Sequence, residues 1–229
     1  MLELDPTRAK RILCLGAHSD DIEIGCGGTL LKLTRDNPGL SVVWVVFSAE
    51  GQRAKEARRS AGSFLRHAAT SKVLMKQFRM SYFPFEGPKI KDCFERLKKL
   101  CQPDIVFTHH RDDRHQDHRL VSDLTWNTFR DHVILEYEIP KYDGDGGQPN
   151  VFVPLEPEIC REKVASLCRF FQTQSNKHWF SEDTFLSLMR LRGIECASET
   201  KYAEAFYGRK LTLEFAPKQS SPVVRRVRQ

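Results

Sequence analysis

The stretch Ala17-His18-Ser19-Asp20-Asp21-Ile22-Glu23-Ile24-Gly25-Cys26-Gly27-Gly28 lies between two apolar runs, Ile12-Leu13-Cys14-Leu15-Gly16 and Thr29-Leu30-Leu31-Lys32-Leu33. That order predicts a buried strand, a tight polar turn and a short helix over residues 29–37, closed by Asn37-Pro38-Gly39. Adjacent carboxylates at the end of a buried strand repel each other unless a cation sits between them. His18 and Asp21, three residues apart, can meet at one metal ion from such a turn. The glycines let the backbone turn sharply or pack closely there. The plainer alternative is an acidic cap on a helix, with His18 incidental.

A second stretch shifts that balance. Thr108-His109-His110-Arg111-Asp112-Asp113-Arg114-His115-Gln116-Asp117-His118 follows Pro103-Asp104-Ile105-Val106-Phe107, another buried-strand pattern. Half of the eight histidines fall within it. Ligands of open α/β sheets bind beyond the carboxyl ends of the strands, so two such ends loaded with His and Asp face one crevice. His115 and His118 share a face on a first helical turn. A solvated loop of mixed charge explains one cluster, but not two at strand ends.

The pair of segments resembles the LmbE/PIG-L family of metal-dependent N-deacetylases. The family's first motif, AHPDD with a following Glu and a Gly-rich segment, is similar to Ala17-His18-Ser19-Asp20-Asp21 with Glu23, Gly25, Gly27 and Gly28. Its second, HxDH, is similar to His115-Gln116-Asp117-His118. Ser19 stands where the family usually has proline, which loosens the turn but removes no ligand. The resemblance covers about residues 10–215 and extends to Tyr202-Ala203-Glu204-Ala205-Phe206-Tyr207, similar to the family's AEAF segment.

At 229 residues the chain fits one domain, expected over 1–216, with a basic flexible tail over 217–229. Charged residues are 29% and hydrophobic residues 40%, ordinary for a soluble globular protein. The net charge is +6, and Lys218, Arg225, Arg226 and Arg228 of the tail supply four of those charges. The basic balance is therefore weak support for nucleic acid, and no nucleic-acid partner is expected. No apolar run approaches the ~20 residues of a membrane span, and Met1-Leu2-Glu3-Leu4-Asp5-Pro6 has no signal-peptide core. Seven scattered cysteines without a CxxC pair read as free thiols in a reducing compartment, so a cytoplasmic location is expected. Assembly into a homo-oligomer is left open.

Ser41-Val42-Val43-Trp44-Val45-Val46-Phe47 has the near-continuous apolar content of a central parallel strand. A helix is expected from Arg53 to about Ala69, and its first turns are basic. Arg53 either belongs to a solvated basic face or reaches an anionic part of a substrate. A strand is expected at Met80-Ser81-Tyr82-Phe83, closed by Pro84. Helices are expected over 88–101, 116–131, 158–171 and 182–192, and a strand over Val133–Ile139. The Gly-rich loop Asp143-Gly144-Asp145-Gly146-Gly147 is either a lid or a connector. Strands alternating with helices predict an α/β, Rossmann-like layered fold with a mostly parallel sheet and helices on both faces. A dinucleotide site is excluded, because GxGxxG spacing is missing and two acids stand where a pyrophosphate would bind.

Two imidazoles and one carboxylate, from His18, Asp21 and His118, leave an open position as in catalytic zinc sites. Zn2+ suits this set and Fe2+ also fits. Asp20, adjacent to a ligand, is the expected general base. His115, one turn from His118, is placed to stabilise an oxyanion or protonate a leaving amine, and Asp117 to orient it and keep it protonated. His109 or His110 come next as the acid. The resemblance implies the same division of roles. The expected reaction is zinc-dependent removal of an N-acetyl group from an amino-sugar-containing small molecule: a sugar, nucleotide sugar, glycolipid or glycosylated metabolite. The alternative is a metal-dependent hydrolase of another amide or carbamoyl group, and the third reading is not an enzyme but a metal-bearing scaffold or a nucleic-acid binder using the basic tail.

Overall fold

The computed structural model describes residues 9–212, so the expected basic tail lies outside the described residues. Seven strands form one sheet in the order β3-β2-β1-β4-β5-β7-β6. Strands β1 (Arg11–Gly16), β2 (Ser41–Val46), β3 (Thr70–Met75), β4 (Ile105–His109) and β5 (Val133–Tyr137) are mutually parallel. Strand β7 (Tyr202–Gly208) runs antiparallel to both β5 and β6 (Val151–Leu155).

Alternate strand residues feed two cores, as the period of two requires. Ile12, Cys14, Val42, Trp44 and Phe107 face one cluster with apolar residues of α1 (Asp21–Asp36), α2 (Gly51–Phe64), α5 (Pro157–Phe170) and α6 (Glu182–Glu195). Leu13, Leu15, Val45 and Val106 face the other, under α3 (Gly87–Leu100) and α4 (Gln116–Thr128). The sheet is covered on both faces, as expected. From β1 the chain winds outward to β2 and β3 on one side, then returns to β4 and β5 on the other. The crevice where the winding reverses lies at the carboxyl ends of β1 and β4, where ligands bind in open sheets.

Three local expectations are corrected. The first helix does not wait for Thr29 but starts at Asp21, with a break at Cys26, whose φ is −141°. The break frees backbone groups, and the fold supplies partners for them. Glu204 of β7 accepts the N–H groups of Gly28 and Thr29, each at 2.7 Å, and Lys163 of α5 reaches both Ile24 O and Glu204 at 2.6 Å. Gly25 is needed beside this break, because a Cβ there would stand 2.1 Å from the ring of Tyr137.

The second correction concerns the strand expected at residues 80–83. The edge strand is Thr70–Met75 instead. Residues 80–82 are an exposed loop with Ser81 at φ 66°, followed by a 3-10 turn at Phe83–Phe85 that Pro84 favours. The third is the length of α2, which ends at Phe64 rather than near Ala69. All seven cysteines are free thiols. Among the described residues no helix is long and apolar enough to cross a membrane.

Candidate active site

β1 ends at Gly16 and β4 at His109, and the polar segments beyond these ends meet. His18 Nδ1 and Asp21 Oδ2 are 3.5 Å apart, His118 Nε2 and Asp21 Oδ2 3.6 Å, and His18 Nδ1 and His118 Nε2 3.2 Å. Donors at about 2.0–2.2 Å around one tetrahedral ion stand roughly 3.3–3.6 Å apart, so this triangle has the right edges for a small divalent cation. The residues are buried, and Asp21 Oδ2 is fixed by the His18 backbone N–H at 2.6 Å.

The outward nitrogens of both imidazoles meet carboxylates. His18 Nε2 is 3.0 Å from Asp117 Oδ2, and His118 Nδ1 is 2.9 Å from Asp113 Oδ2. A carboxylate behind a histidine holds the proton on the outer nitrogen and aims the inner lone pair at the ion. The charge balance agrees. Burial alone would raise Asp21, but the imidazoles of His118, His109 and His18 hold it well below the usual carboxylate range. Burial lowers His18, yet Asp21 and Asp117 outweigh it and bring the group up to about 9. Burial with His109 alongside takes His118 down to about 3. The cluster gathers positive charge at His18, and a metal ion among the same atoms supplies that charge.

Asp20 is buried beside this triangle at the N-cap position of α1. Arg53 of α2 reaches Asp20 Oδ1 at 3.3 Å, Ser19 Oγ at 2.9 Å and Met80 Sδ at 3.3 Å. Lys55, Arg58 and Arg59 form the solvated basic face, and Arg53 alone of the group turns to the site. Burial and Asp21 raise the Asp20 carboxyl, while Arg53 and His18 lower it.

The expected pairing of Asp117 with His115 is corrected by the structure. The Asp117 carboxylate goes to His18 and to the backbone N–H groups of Ser81 and Phe83, at 2.6 and 3.1 Å. His115 caps α4, and its Nδ1 accepts the Asp117 backbone N–H at 3.2 Å. An Nδ1 that accepts carries no proton, so the ring is a neutral imidazole with its proton on Nε2. Burial and the nearby His18 lower its pKa in keeping with that state. Its ring centroid is 4.9 Å from that of His18 and 4.6 Å from that of His118, so it flanks the candidate ion site.

Three further participants emerge: His109, expected from the sequence only as an alternative acid, and Asp113 and Lys141, which the sequence does not single out. His109, fully buried, places Nε2 3.2 Å from Asp21 Oδ2 and stacks on His118 at 3.9 Å. Asp113 backs His118 and also accepts the His115 backbone N–H at 2.8 Å. Lys141 stands 3.0 Å from Asp113 and 2.6 Å from Asp145 of the Gly-rich loop, which in turn accepts the Arg114 N–H at 2.7 Å. The only available signal was proximity in sequence, since Asp113 lies five residues before His118. Asp113→Asn is expected to weaken metal binding by roughly 10- to 100-fold, measured by competition with a chelator of known affinity. Unchanged affinity would restrict Asp113 to holding the loop.

The PIG-L pattern, described as GlcNAc-PI de-N-acetylase, matches residues 13–129, which contain both motifs. The chain belongs to the PIG-L family. The uncharacterized deacetylase YaiS of Escherichia coli K12 is 28% identical over 174 residues, covering 70% of this chain and 90% of that protein. The N,N'-diacetylchitobiose deacetylase of Pyrococcus horikoshii shares the fold with a TM-score of 0.69 at 22% identity, covering 88% of this chain and 84% of that one. The 4-carboxy-2-hydroxymuconate hydratase GalB of Pseudomonas putida KT2440 does so too, with a TM-score of 0.64 at 17% identity over 90% of this chain and all of the other. The PIG-L fold therefore carries more than one chemistry, and function must be argued from the site.

Proposed function

We propose that this PIG-L protein is a zinc-dependent N-deacetylase that removes the acetyl group from an amino-sugar-containing small molecule. The observation that carries this reading is the triangle of His18, Asp21 and His118 with a carboxylate behind each imidazole. A divalent cation held there supplies a Lewis acid that polarises a carbonyl and acidifies water. Zn2+ suits two nitrogens and one oxygen, and Fe2+ accepts the same donors.

The chain's own groups divide the remaining work. Asp20, with one oxygen held by Arg53, accepts the proton of the attacking water. His115 presents its Nε2–H to the oxygen that becomes negative as the amide carbon turns tetrahedral. Asp117 fixes the His18 ring, and Asp113 the His118 ring. Arg53 is only partly exposed and is committed to Asp20, so its first role is to position that carboxylate. Free thiols suit a reducing cytoplasm.

The test is release of amine and acetate from a panel of N-acetylated sugars and sugar conjugates by metal-loaded protein. Equal amounts of free amine and acetate are expected. A different acid with the amine would identify another amide or a carbamoyl group as the substrate. No amine from any member would overturn the deacetylase reading.

A further inference from the structure

The loop between β3 and α3 is tied to the site by its backbone and turns its apolar side chains outward. Asp117, which holds His18, also accepts the N–H groups of Ser81 and Phe83. Gln116 Nε2 donates to Ser81 O at 3.0 Å. These bonds hold Ser81 in the left-handed region, at φ 66°, which an L side chain rarely adopts. Phe83 is buried with its ring 6.1 Å from that of His18. Its neighbours are not buried: Met80 is 48% exposed, Tyr82 40% and Phe85 82%. The Tyr82 and Phe85 rings lie 6.0 Å apart, and the Arg79 guanidinium rests 3.6 Å from the Tyr82 ring centroid.

Exposed apolar groups scattered singly need no explanation, but two aromatics and a methionine on one short, strained loop beside a reactive cluster do. An unfavourable backbone conformation persists only where its surroundings enforce it, and here the enforcing groups are Asp117 and Gln116 of the HQDH segment. The backbone that carries the two rings is thus anchored to the same carboxylate that holds His18. An aromatic face presented in that way takes a flat or puckered ring by stacking, and the cation over Tyr82 steadies its ring.

We propose that Tyr82 and Phe85 form a ring-binding subsite at the rim of the active site, so that the substrate carries a second ring beyond its N-acetylated unit. This rests on the N-deacetylase reading for the identity of that first unit. The shared chemistry is stacking of a ring on an aromatic face, and the second ring is a sugar or an aromatic aglycone. The Met80 thioether, 3.3 Å from Arg53 Nη1, joins the ledge to the site floor.

The experiment compares N-acetylglucosamine, N,N'-diacetylchitobiose and 4-nitrophenyl N-acetyl-β-glucosaminide, by calorimetric Kd and by kcat/KM for amine release. The two ring-bearing compounds are expected to bind roughly threefold to tenfold more tightly than the monosaccharide. A preference for the disaccharide alone assigns a sugar to the ledge, and for the aryl glycoside alone an aromatic aglycone. Tyr82→Ala with Phe85→Ala should bring the ratio of Kd values close to one, while Tyr82→Phe keeps it. Both side chains are exposed, so the variants are expected to fold, which circular dichroism checks. A wild-type ratio near one, or a ratio that survives the double substitution, overturns the subsite. Ring-dependent binding without any amine release leaves the subsite standing and overturns the N-deacetylase reading, so the two failures are distinct.

Discussion

His118→Ala is expected to strip most of the bound metal from the protein and, with it, nearly all turnover. Among the described residues, two sets of side chains bring donor atoms close enough to hold one ion: His18 with His115 and His118, and Asp21 with His109 and His118. The triangle argued above shares two members with each. His118 belongs to all three sets, so its removal tests the site whichever geometry the ion adopts. Loss of an outer partner costs about 10- to 100-fold in metal affinity, and loss of a direct ligand exceeds that. The fold has reason to survive, because Asp113 keeps Lys141 and the His115 N–H as partners. Metal content after dialysis, with chelator competition for affinity, measures the effect. Full occupancy in the variant would remove His118 from the ligand set. His109→Asn and His115→Ala are the comparisons: each disrupts one of the two competing sets and leaves His18, Asp21 and His118 in place, so both should retain metal.

Much of this was legible in the chain because the decisive residues are contiguous. A parallel strand buried on both faces is a near-continuous apolar run, and β1, β2 and β4 each have one. Two of those runs end in His and Asp, and the fold joins their ends at the switch point. The edge strand was less visible. Thr70-Ser71-Lys72-Val73-Leu74-Met75 carries few apolar residues because half of it faces solvent, whereas Met80 to Phe83 looks like a strand and is not. Hydrophobicity reads as burial in a sequence, and the ledge beside the site breaks that equation.

Side-chain direction was the other blind spot. Asp117 stands between His115 and His118 in sequence, which suggests a carboxylate that orients His115. The cap bond instead uses the Asp117 backbone, which frees its carboxylate for His18, 99 residues away. Asp113 and Lys141 contribute through contacts across 5 and 28 residues that no spacing rule describes. Glu204 shows the same limit. Its segment was recognisable, but not the break in α1 that it closes across 176 residues.

Asp20→Asn is the second expectation of large effect: turnover falls by ~10²–10⁴-fold while the metal stays. The substitution keeps the volume and leaves an amide oxygen to accept from Arg53, so the buried N-cap of α1 loses little packing. What it removes is the ability to take a proton. Asp20 appears in neither group of donors able to share an ion, so metal content should match that of the unaltered protein. Burial and Asp21 raise its affinity for a proton, which suits a base working near neutrality better than an ordinary exposed carboxylate. Steady-state amine release and metal analysis on the same preparation are the measurements. A rate near that of the unaltered protein would make Asp20 structural, and loss of metal would make it a ligand. Arg53→Met separates base from scaffold: if Asp20 mattered only as the anchor for Arg53, both variants would lose rate equally. As the proton acceptor, Asp20 must be the costlier of the two to replace, because a carboxylate without its guanidinium partner still accepts a proton and an amide does not.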